Sequence, residues 1–188
     1  MAVVIRDATP ADARGIVAAH VGSWGTTYRG HFPDELLDDQ DLDMWTANRE
    51  RAIRGLTRGE FYLVAEVDGR IAGFAVAGPS RGEPEDAEVY AIYLLQEHQR
   101  HGVGRALVAE CVRRFRERGM RSMVIWVLRE NAIGRSFYER IGGTADREKL
   151  GYVGQQLGRP HQITEVAYVW PDIASVDLEM KNASSRRR

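Results

Sequence analysis

A turn with two glycines, Gly102 and Gly104, joins an apolar strand to a long run with helical periodicity. Glycine is unfavourable inside a helix, so two glycines at a helix start need an explanation. The first backbone N–H groups of a helix are unpaired and carry positive partial charge, and missing side chains let an anion reach them. The segment QRHGVGR, residues 99–105, therefore indicates a phosphate-binding turn, with Arg100 and Arg105 adding charge. A plain strand-to-helix turn that needs glycine for its backbone explains these residues equally well.

Two better-known phosphate-binding sequences do not fit this turn. A dinucleotide-binding turn needs a third glycine where Leu107 stands, and it follows the first strand of its domain rather than the fourth. A nucleoside-triphosphate loop needs Gly-Lys followed by Ser or Thr, which this sequence lacks. Neither class of nucleotide site is therefore predicted here.

Strand-like and helix-like segments alternate along the chain, which predicts one mixed α/β domain. The clearest local signal is Asp68-Gly69, a pair favoured in tight hairpins, between two β-rich runs. Strands are predicted at about residues 3–8, 60–67, 70–78, 88–95, 123–128, 144–152 and 163–169. Helices are predicted from 10 to about 21, once or twice between 32 and 56, from 103 to 118, and within 131–141.

The composition suits an ordinary globular domain. With 188 residues, 44% of them hydrophobic and 28% charged, the chain is long enough for a sizeable core. Its 26 basic and 27 acidic side chains give a net charge of −1, which argues against a general nucleic-acid partner. No apolar run reaches membrane-spanning length, so a cytoplasmic protein without a membrane partner is expected. The single cysteine, Cys111, and the scattered histidines predict no disulfide and no metal site.

Two motifs in a fixed order resemble the GNAT superfamily of N-acetyltransferases. The family signature Q/R-x-x-G-x-G/A is met by the segment QRHGVG, which begins at Gln99. One strand later, Asn131 is followed by Tyr138 in FYERIGG, as in the second motif of the family. The opening IRDATPADA and the segment SWGTTYRG also resemble members, so the similarity covers nearly all of residues 3–172.

The resemblance implies a GNAT fold, a mixed central sheet of about seven strands flanked by about four helices. Residues 1–172 would form this domain and residues 173–188 a tail. Acetyl-CoA would be the co-substrate, with its pyrophosphate on the turn and its pantetheine arm along the fourth strand, where parallel neighbours splay apart. The implied cofactor-binding residues are Leu94, Gln99, Arg100, His101, Gly102, Val103, Gly104, Arg105 and Asn131. The Asp-Pro that often follows this strand is replaced by Leu95-Gln96, which leaves the strand end open.

Tyr138 is the candidate acid. Ile133, Phe137 and Ile141 form an apolar stripe that predicts the core side of the last helix, and Tyr138 lies off that stripe. The resemblance implies a tyrosine here that serves the departing CoA sulfur, and a phenol stays protonated at neutral pH. A packed surface aromatic is the alternative. Asn131 is equally well explained as a helix N-cap or as a cofactor contact, and the two roles are compatible.

Glu88 is the candidate base. It opens the fourth strand, where related enzymes often place a carboxylate that deprotonates the amine, commonly through water. It also closes an acidic run with Glu83, Glu85 and Asp86, so a solvated strand end is the alternative.

Aromatic and acidic residues give weaker indications. Trp24 and Tyr28 fall in the predicted first inter-helix loop, which often lines the acceptor site in this family, although core packing explains Trp24 as well. Trp126, in an apolar strand, is predicted to be a core residue. Acidic residues crowd residues 34–43, which predicts either a field that attracts a cationic acceptor or a solvated helix face.

The sequence therefore predicts direct transfer of an acetyl group from acetyl-CoA to a primary amine, without a covalent intermediate on Cys111. The acceptor would be a small molecule or a peptide N-terminus, and a homodimer and longer acyl groups stay open. The alternative from another class is a catalytically silent acyl-CoA-binding sensor. A nucleotide-binding regulator is a distant third.

Overall fold

Seven strands form one mixed sheet in the residues that the computed structural model describes, which are 2–38, 40–153 and 160–176. The strands are β1 (Val3–Asp7), β2 (Phe61–Val67), β3 (Arg70–Pro79), β4 (Ala87–Leu94), β5 (Met123–Leu128), β6 (Thr144–Val153) and β7 (His161–Trp170). The α-helices among these residues are α1 (Ala13–Thr27), α2 (Asp34–Asp38), α3 (Leu42–Arg54), α4 (Val103–Glu117) and α5 (Ala132–Arg140). The strand order β1-β2-β3-β4-β5-β7-β6 and the flanking helices confirm the predicted fold class.

The pairing of β4 with β5 is the one parallel pair among these strands, and it is short. Ala87 to Val89 lie opposite Met123 to Ile125. β4 continues to Leu94 and β5 to Leu128, but the two strands do not pair with each other beyond Val89 and Ile125. They therefore diverge toward their carboxyl ends. The sheet therefore opens into a wedge near Leu94, where the family resemblance implies splayed neighbours.

Helices cover both faces of the sheet. α4 packs on one face, where Leu107, Cys111 and Phe115 are fully buried. α1 and α3 pack on the other face through Ile16 and Ile53. Burying a large apolar side chain stabilises the fold by roughly 1.5–3 kcal/mol relative to leaving it exposed. Burial also raises the pKa of the Cys111 thiol to about 12, so this cysteine is an unreactive core side chain.

Local sequence signals account for the structure at three element boundaries. Asp68 and Gly69 join β2 to β3 with φ of 48° and 81°, the left-handed backbone of a tight hairpin. Gly119, with φ of 75°, follows the end of α4. Before α1, the backbone N–H and the hydroxyl of Thr9 donate to the Asp12 carboxylate at 2.7 and 2.9 Å. These short-range interactions fix where the elements begin and end.

Helix α1 is longer than predicted. The sequence predicts its end near Val21, whereas the helix continues to Thr27 and Tyr28 is its C-cap. The end of α1 contains Gly25, Thr26 and Thr27, and the low helix propensity of glycine and threonine predicts a loop there. Trp24 and Tyr28 pack edge to face with ring centres 5.7 Å apart, and both rings contact Phe32. Tertiary packing therefore keeps the last turn helical.

The chain stays packed beyond the predicted domain boundary at residue 172. Ile173 is fully buried, and the Arg116 guanidinium donates to the carbonyl oxygens of Ile173 and Ala174 at 2.8 and 2.9 Å. The rest of the predicted tail, residues 177–188, lies outside the described residues. None of the helices described above is long and apolar enough to cross a bilayer.

His20 of α1 is a partly buried histidine held in its neutral form. Its Nδ1 lies 3.3 Å from the Arg49 guanidinium, which can only donate, so the ring proton is on Nε2. The His20 ring packs against Tyr93 of β4 with 4.3 Å between ring centres. Burial, followed by the positive charge of Arg49, lowers the pKa of His20 to about 3.

The free energy of unfolding is expected to fall as the pH drops below about 6.5. Below this pH the unfolded chain binds a proton on His20, whereas His20 of the folded protein stays neutral down to about pH 3. The limiting slope is about 1.4 kcal/mol per pH unit. His20→Gln should remove this slope between about pH 6.5 and 5, where most carboxylates are still ionised. Denaturant unfolding at several pH values measures it, with the exposed His31→Gln as the control. A His20→Gln protein that keeps the wild-type slope would contradict the prediction.

Candidate active site

The wedge between β4 and β5 opens into a cavity of about 910 Å³, a size typical of ligand pockets. Its walls come from the end of β4, the glycine turn, the start of α4, the length of α5, and the last turn of α1. Seven of the predicted cofactor-binding residues line it: Leu94, Gln99, Arg100, Gly102, Gly104, Arg105 and Asn131. The motif that begins at Gln99 and the wedge in the sheet thus lie at the same cavity.

Two residues of the predicted set offer no side chain to this cavity. His101 is exposed beside the turn, and the Val103 side chain is 1% exposed within the core. Val103 is nevertheless the first residue of α4, so its backbone N–H belongs to the helix start. The first hydrogen bond within α4 runs from the Ala106 N–H to the Gly102 carbonyl at 2.9 Å. The N–H groups of Val103 and Gly104 precede it and have no partner within the helix.

The two glycines of the turn have different physical explanations. Gly102 has a φ of 83°, a left-handed backbone that favours glycine, so the plain-turn interpretation explains it. Gly104 is helical, and a Cβ there would lie 3.5 Å from Phe137 Cζ and 3.8 Å from Leu94 Cδ2, in ordinary contact. Glycine in a helix costs about 1 kcal/mol relative to alanine. Since neither backbone nor packing requires Gly104, room for a ligand explains it best.

Hydrogen bonds hold the cavity wall in place. Gln99 Nε2 donates to the Leu94 carbonyl oxygen at 3.3 Å and ties the turn to the end of β4. Asn131 Oδ1 accepts from the Gly134 N–H at 2.8 Å, so Asn131 is the N-cap of α5. Its Nδ2 donates to the Tyr28 hydroxyl at 3.4 Å across the cavity wall. The cap role of Asn131 is confirmed, and a cofactor contact stays a prediction.

Tyr138 lies on the buried side of α5, which corrects the predicted apolar stripe. Its exposed fraction is 6%, whereas Ile133, predicted to face the core, is 56% exposed. Tyr138 packs against Tyr168 and Trp170 of β7, with ring centres 5.6 and 6.2 Å apart. These aromatic residues follow later in the sequence, so the periodicity of α5 alone could not reveal which side they would cover.

Tyr138 also lines the cavity, so burial and access to a ligand are both present. Burial raises the pKa of its phenol well above the ordinary value. A phenol in this position therefore stays protonated and can donate a hydrogen bond to a ligand atom near neutral pH. Its role as the acid stays a prediction.

Glu88 lies at the other end of β4 from the residues that line the cavity. It is 7% exposed, so the solvated strand end is wrong. Its carboxylate accepts from the Arg81 N–H at 3.1 Å and lies 3.6 Å from the Arg81 guanidinium. The structure therefore pairs Glu88 with Arg81, and its role as the base stays a prediction.

A charged face covers β5, β7 and β6 on the side of the sheet where α1 packs. We define it by Glu83, Trp126, Arg147, Lys149 and Glu165. Trp126 Nε1 donates to Glu83 at 3.1 Å, and the Lys149 ammonium lies 3.8 Å from the centre of the indole ring. Trp126 is therefore half-buried under charged side chains, and its prediction as a core residue is wrong. The helices on this side, α1 and α3, pack over β2 to β4 instead.

Sequence reasoning missed Glu165 as a residue of this face. The available signal was a lone carboxylate in the apolar segment EVAYVW of a predicted strand. Burial, and then the negative charge of Glu88, raise the pKa of Glu165, while Lys149 opposes the shift. No group of three His, Cys, Asp or Glu side chains in the described parts of the chain is arranged to hold a metal ion.

The acidic residues before α3 are largely engaged with local partners. Arg29 pairs with Asp34 and Asp38 at 2.9 and 2.7 Å. Asp41 caps α3 by accepting from the Met44 N–H at 2.8 Å. These contacts favour the helix-face interpretation over a field that steers the acceptor, since pairing reduces the net charge seen at a distance.

Known proteins with related sequences are named N-acetyltransferases. The acetyltransferase (GNAT) family model matches residues 24–143, which is more than half of the chain. The uncharacterised N-acetyltransferase YuaI of Bacillus subtilis is 33% identical over 181 residues, covering 93% of this chain and 96% of that protein. Phosphinothricin N-acetyltransferase of Streptomyces viridochromogenes is 30% identical over 163 residues, covering 86% of this chain and 84% of that protein.

Solved structures have the same architecture. PaiA N-acetyltransferase from Thermoplasma acidophilum, in complex with coenzyme A, matches with a TM-score of 0.67 over 88% of this chain and 98% of that one. At 22% identity this match shows the fold, and the family follows from the sequence matches. The protein therefore belongs to the GNAT family of acetyltransferases and is an enzyme that uses acetyl-CoA as its co-substrate.

Proposed function

We propose that this enzyme transfers the acetyl group of acetyl-CoA directly to a primary amine while both substrates are bound. The observation that carries the proposal is the cavity at the wedge, which brings the start of α4 and the Tyr138 phenol into one space. The start of α4 suits the phosphates of a cofactor, and the Tyr138 phenol suits the CoA sulfur that departs from the acetyl group.

Acetyl-CoA would lie along the wedge with its pyrophosphate on the turn. The unpaired N–H groups at the start of α4 would bind the phosphate oxygens, and Arg100 and Arg105 would add positive charge. The pantetheine arm carries amides that can bond to the backbone of β4 beyond Val89, where β5 no longer pairs with it. A backbone N–H in this part of β4 would also polarise the thioester carbonyl.

Direct transfer needs no nucleophile from the protein. Cys111 is the single cysteine of the sequence, and it is fully buried with its pKa raised to about 12. A thioester intermediate on this residue is therefore disfavoured, because the thiolate is the reactive form. Holding the amine beside the thioester would supply much of the acceleration.

The acceptor is proposed to be a small molecule rather than a peptide N-terminus. The relative named phosphinothricin N-acetyltransferase supports this choice, since its name specifies a small-molecule acceptor. The charged face offers both carboxylates and a cation, Lys149, to a small polar amine.

Release of free CoA thiol in the presence of a panel of primary amines tests the proposal. At least one amine is expected to stimulate release, with intersecting double-reciprocal lines when both substrates are varied, because a ternary complex forms. Parallel lines would contradict direct transfer. Tight acetyl-CoA binding by calorimetry without amine-stimulated release would indicate the silent sensor instead.

A further inference from the structure

Two carboxylates of the sheet, Glu88 and Glu165, lie on the same face. In the strand register, Glu88 is opposite Val124 and Glu165 is opposite Leu128. Val124 and Leu128 share a face of β5 because side chains alternate along a strand, and directly opposite residues share a face as well. Trp126, between them, identifies this as the side that carries the charged face.

The surroundings of the two carboxylates differ. Glu88 is buried and bound by the backbone and guanidinium of Arg81 at 3.1 and 3.6 Å. The Glu165 side chain is 27% exposed, and within the described residues no hydrogen bond reaches its carboxylate. Its ion-pair contact is Lys149 at 4.0 Å, and Lys149 is shared with Glu83 at 3.7 Å. Glu165 is therefore the carboxylate with oxygens available to an incoming donor.

Glu165 is the member of the charged face that acts on side chains of the cavity wall. Leu128, its partner across the strands, belongs to the apolar cluster that contains Tyr28. Tyr28 and Tyr93 both line the cavity. Burial above all, and the negative charge of Glu165 in addition, raise the pKa of both phenols. The carboxylate is thus close enough to act on two side chains of the cavity wall.

The environment of Glu165 favours proton uptake. Burial and the charge of Glu88 raise the pKa of its carboxyl group, and Lys149 acts in the opposite direction. The charged and titratable groups that face it are Lys149, Glu83, Glu88, Tyr28 and Tyr93. A carboxylate with raised proton affinity takes a proton from an ammonium group more readily than an exposed one.

We propose that Glu165, in place of Glu88 that the sequence predicts as the base, binds the ammonium group of the acceptor and takes its proton, while Glu88 anchors Arg81. This inference rests on the proposed function, since it requires an amine acceptor. One N–H proton passes to Glu165, and the freed nitrogen lone pair attacks the thioester carbonyl carbon. The C–S bond then breaks, and its electron pair leaves with the CoA sulfur, to which Tyr138 donates a hydrogen bond. The nitrogen loses a second proton as the amide forms, and the thiolate takes up one proton through water.

The test compares Glu165→Gln with Glu88→Gln in the full chain, using the amine that best stimulates CoA release. Glu165→Gln is expected to lower kcat/KM roughly a hundredfold or more, and the loss should shrink at high pH as the amine deprotonates itself. Acetyl-CoA affinity by calorimetry should stay at the wild-type value. Glu88→Gln should lose less and keep the wild-type shape of the pH profile. The exposed Glu148→Gln on β6 is the control for removing a carboxylate.

The inference would be overturned if Glu165→Gln kept the wild-type pH profile of kcat/KM. It would also be overturned if Glu88→Gln alone lost that pH profile. Glu165→Asp keeps the carboxylate and should retain the wild-type pH dependence at a reduced rate. This variant provides the test if Glu165→Gln does not fold. An aspartate variant without that pH dependence also counts against the inference. If the wild-type enzyme acetylates no amine, the proposed function fails and this inference with it. Failure of the variants alone leaves amine acetylation standing.

Discussion

Replacing Tyr138 with phenylalanine is expected to lower kcat roughly ten- to a thousand-fold while acetyl-CoA affinity changes little. The substitution removes only the hydroxyl, so the ring keeps its packing against Tyr168 and Trp170. Burial raises the pKa of this phenol, whereas an ordinary thiol has a pKa of about 8.5. The phenol therefore stabilises the departing thiolate best as a hydrogen-bond donor, and water completes the proton transfer.

Steady-state kinetics with thiol detection, together with calorimetry for acetyl-CoA, measure this effect. Tyr168→Phe is the matched control, because its hydroxyl donates to Glu139 at 2.7 Å and the residue does not line the cavity. If Tyr138→Phe keeps the wild-type kcat with chemistry rate-limiting, Tyr138 is a packing residue and the departing sulfur does not depend on a hydrogen bond from it.

The second large effect is expected from Gly104→Glu, which should weaken acetyl-CoA binding about a hundredfold or more. Like charges forced together at a binding site cost several kcal/mol, and each 1.4 kcal/mol is a factor of ten. The fold should persist, since a Cβ at this position meets Phe137 and Leu94 in ordinary contact. A carboxylate in the first turn also suits the positive end of α4. The variant therefore separates the loss of a ligand from the loss of structure.

Gly104→Ala is the matched control, because it adds the same Cβ without the charge. Calorimetry with acetyl-CoA on both variants, and thermal unfolding without ligand, give the comparison. Unchanged acetyl-CoA affinity in a folded Gly104→Glu protein would mean that the pyrophosphate binds elsewhere and that the glycine turn serves the backbone alone.

The elements and the cavity could be predicted where their signals are local. Asp68-Gly69 specifies a hairpin through its own backbone preferences, and the glycine turn specifies a helix start in the same way. The motif at Gln99 then marks the place where the sheet opens, because both depend on one strand-to-helix junction. Short-range chemistry was sufficient for this part of the site.

The side chains that were placed wrongly depend on contacts between distant segments. Ile133 and Tyr138 exchange their predicted roles because α5 packs on β7, about thirty residues later in the chain. Trp126 lies in an apolar segment typical of a covered strand, but α1 and α3 cover β2 to β4 instead. Glu165 becomes a candidate only when β7 pairs with β5 and β6. No periodicity within one segment contains this information.

The short pairing of β4 with β5 has a mechanical consequence. Within the described chain, three residue pairs are the sheet's direct connection between a half made of β1 to β4 and a half made of β5 to β7. The cavity is lined by β4 of the first half and by α5, which packs on β6 and β7 of the second half. The angle between the two halves therefore sets the width of the cavity. Substitutions far from any ligand, which tilt one half-sheet against the other, can therefore alter the size of the acyl group that the enzyme accepts.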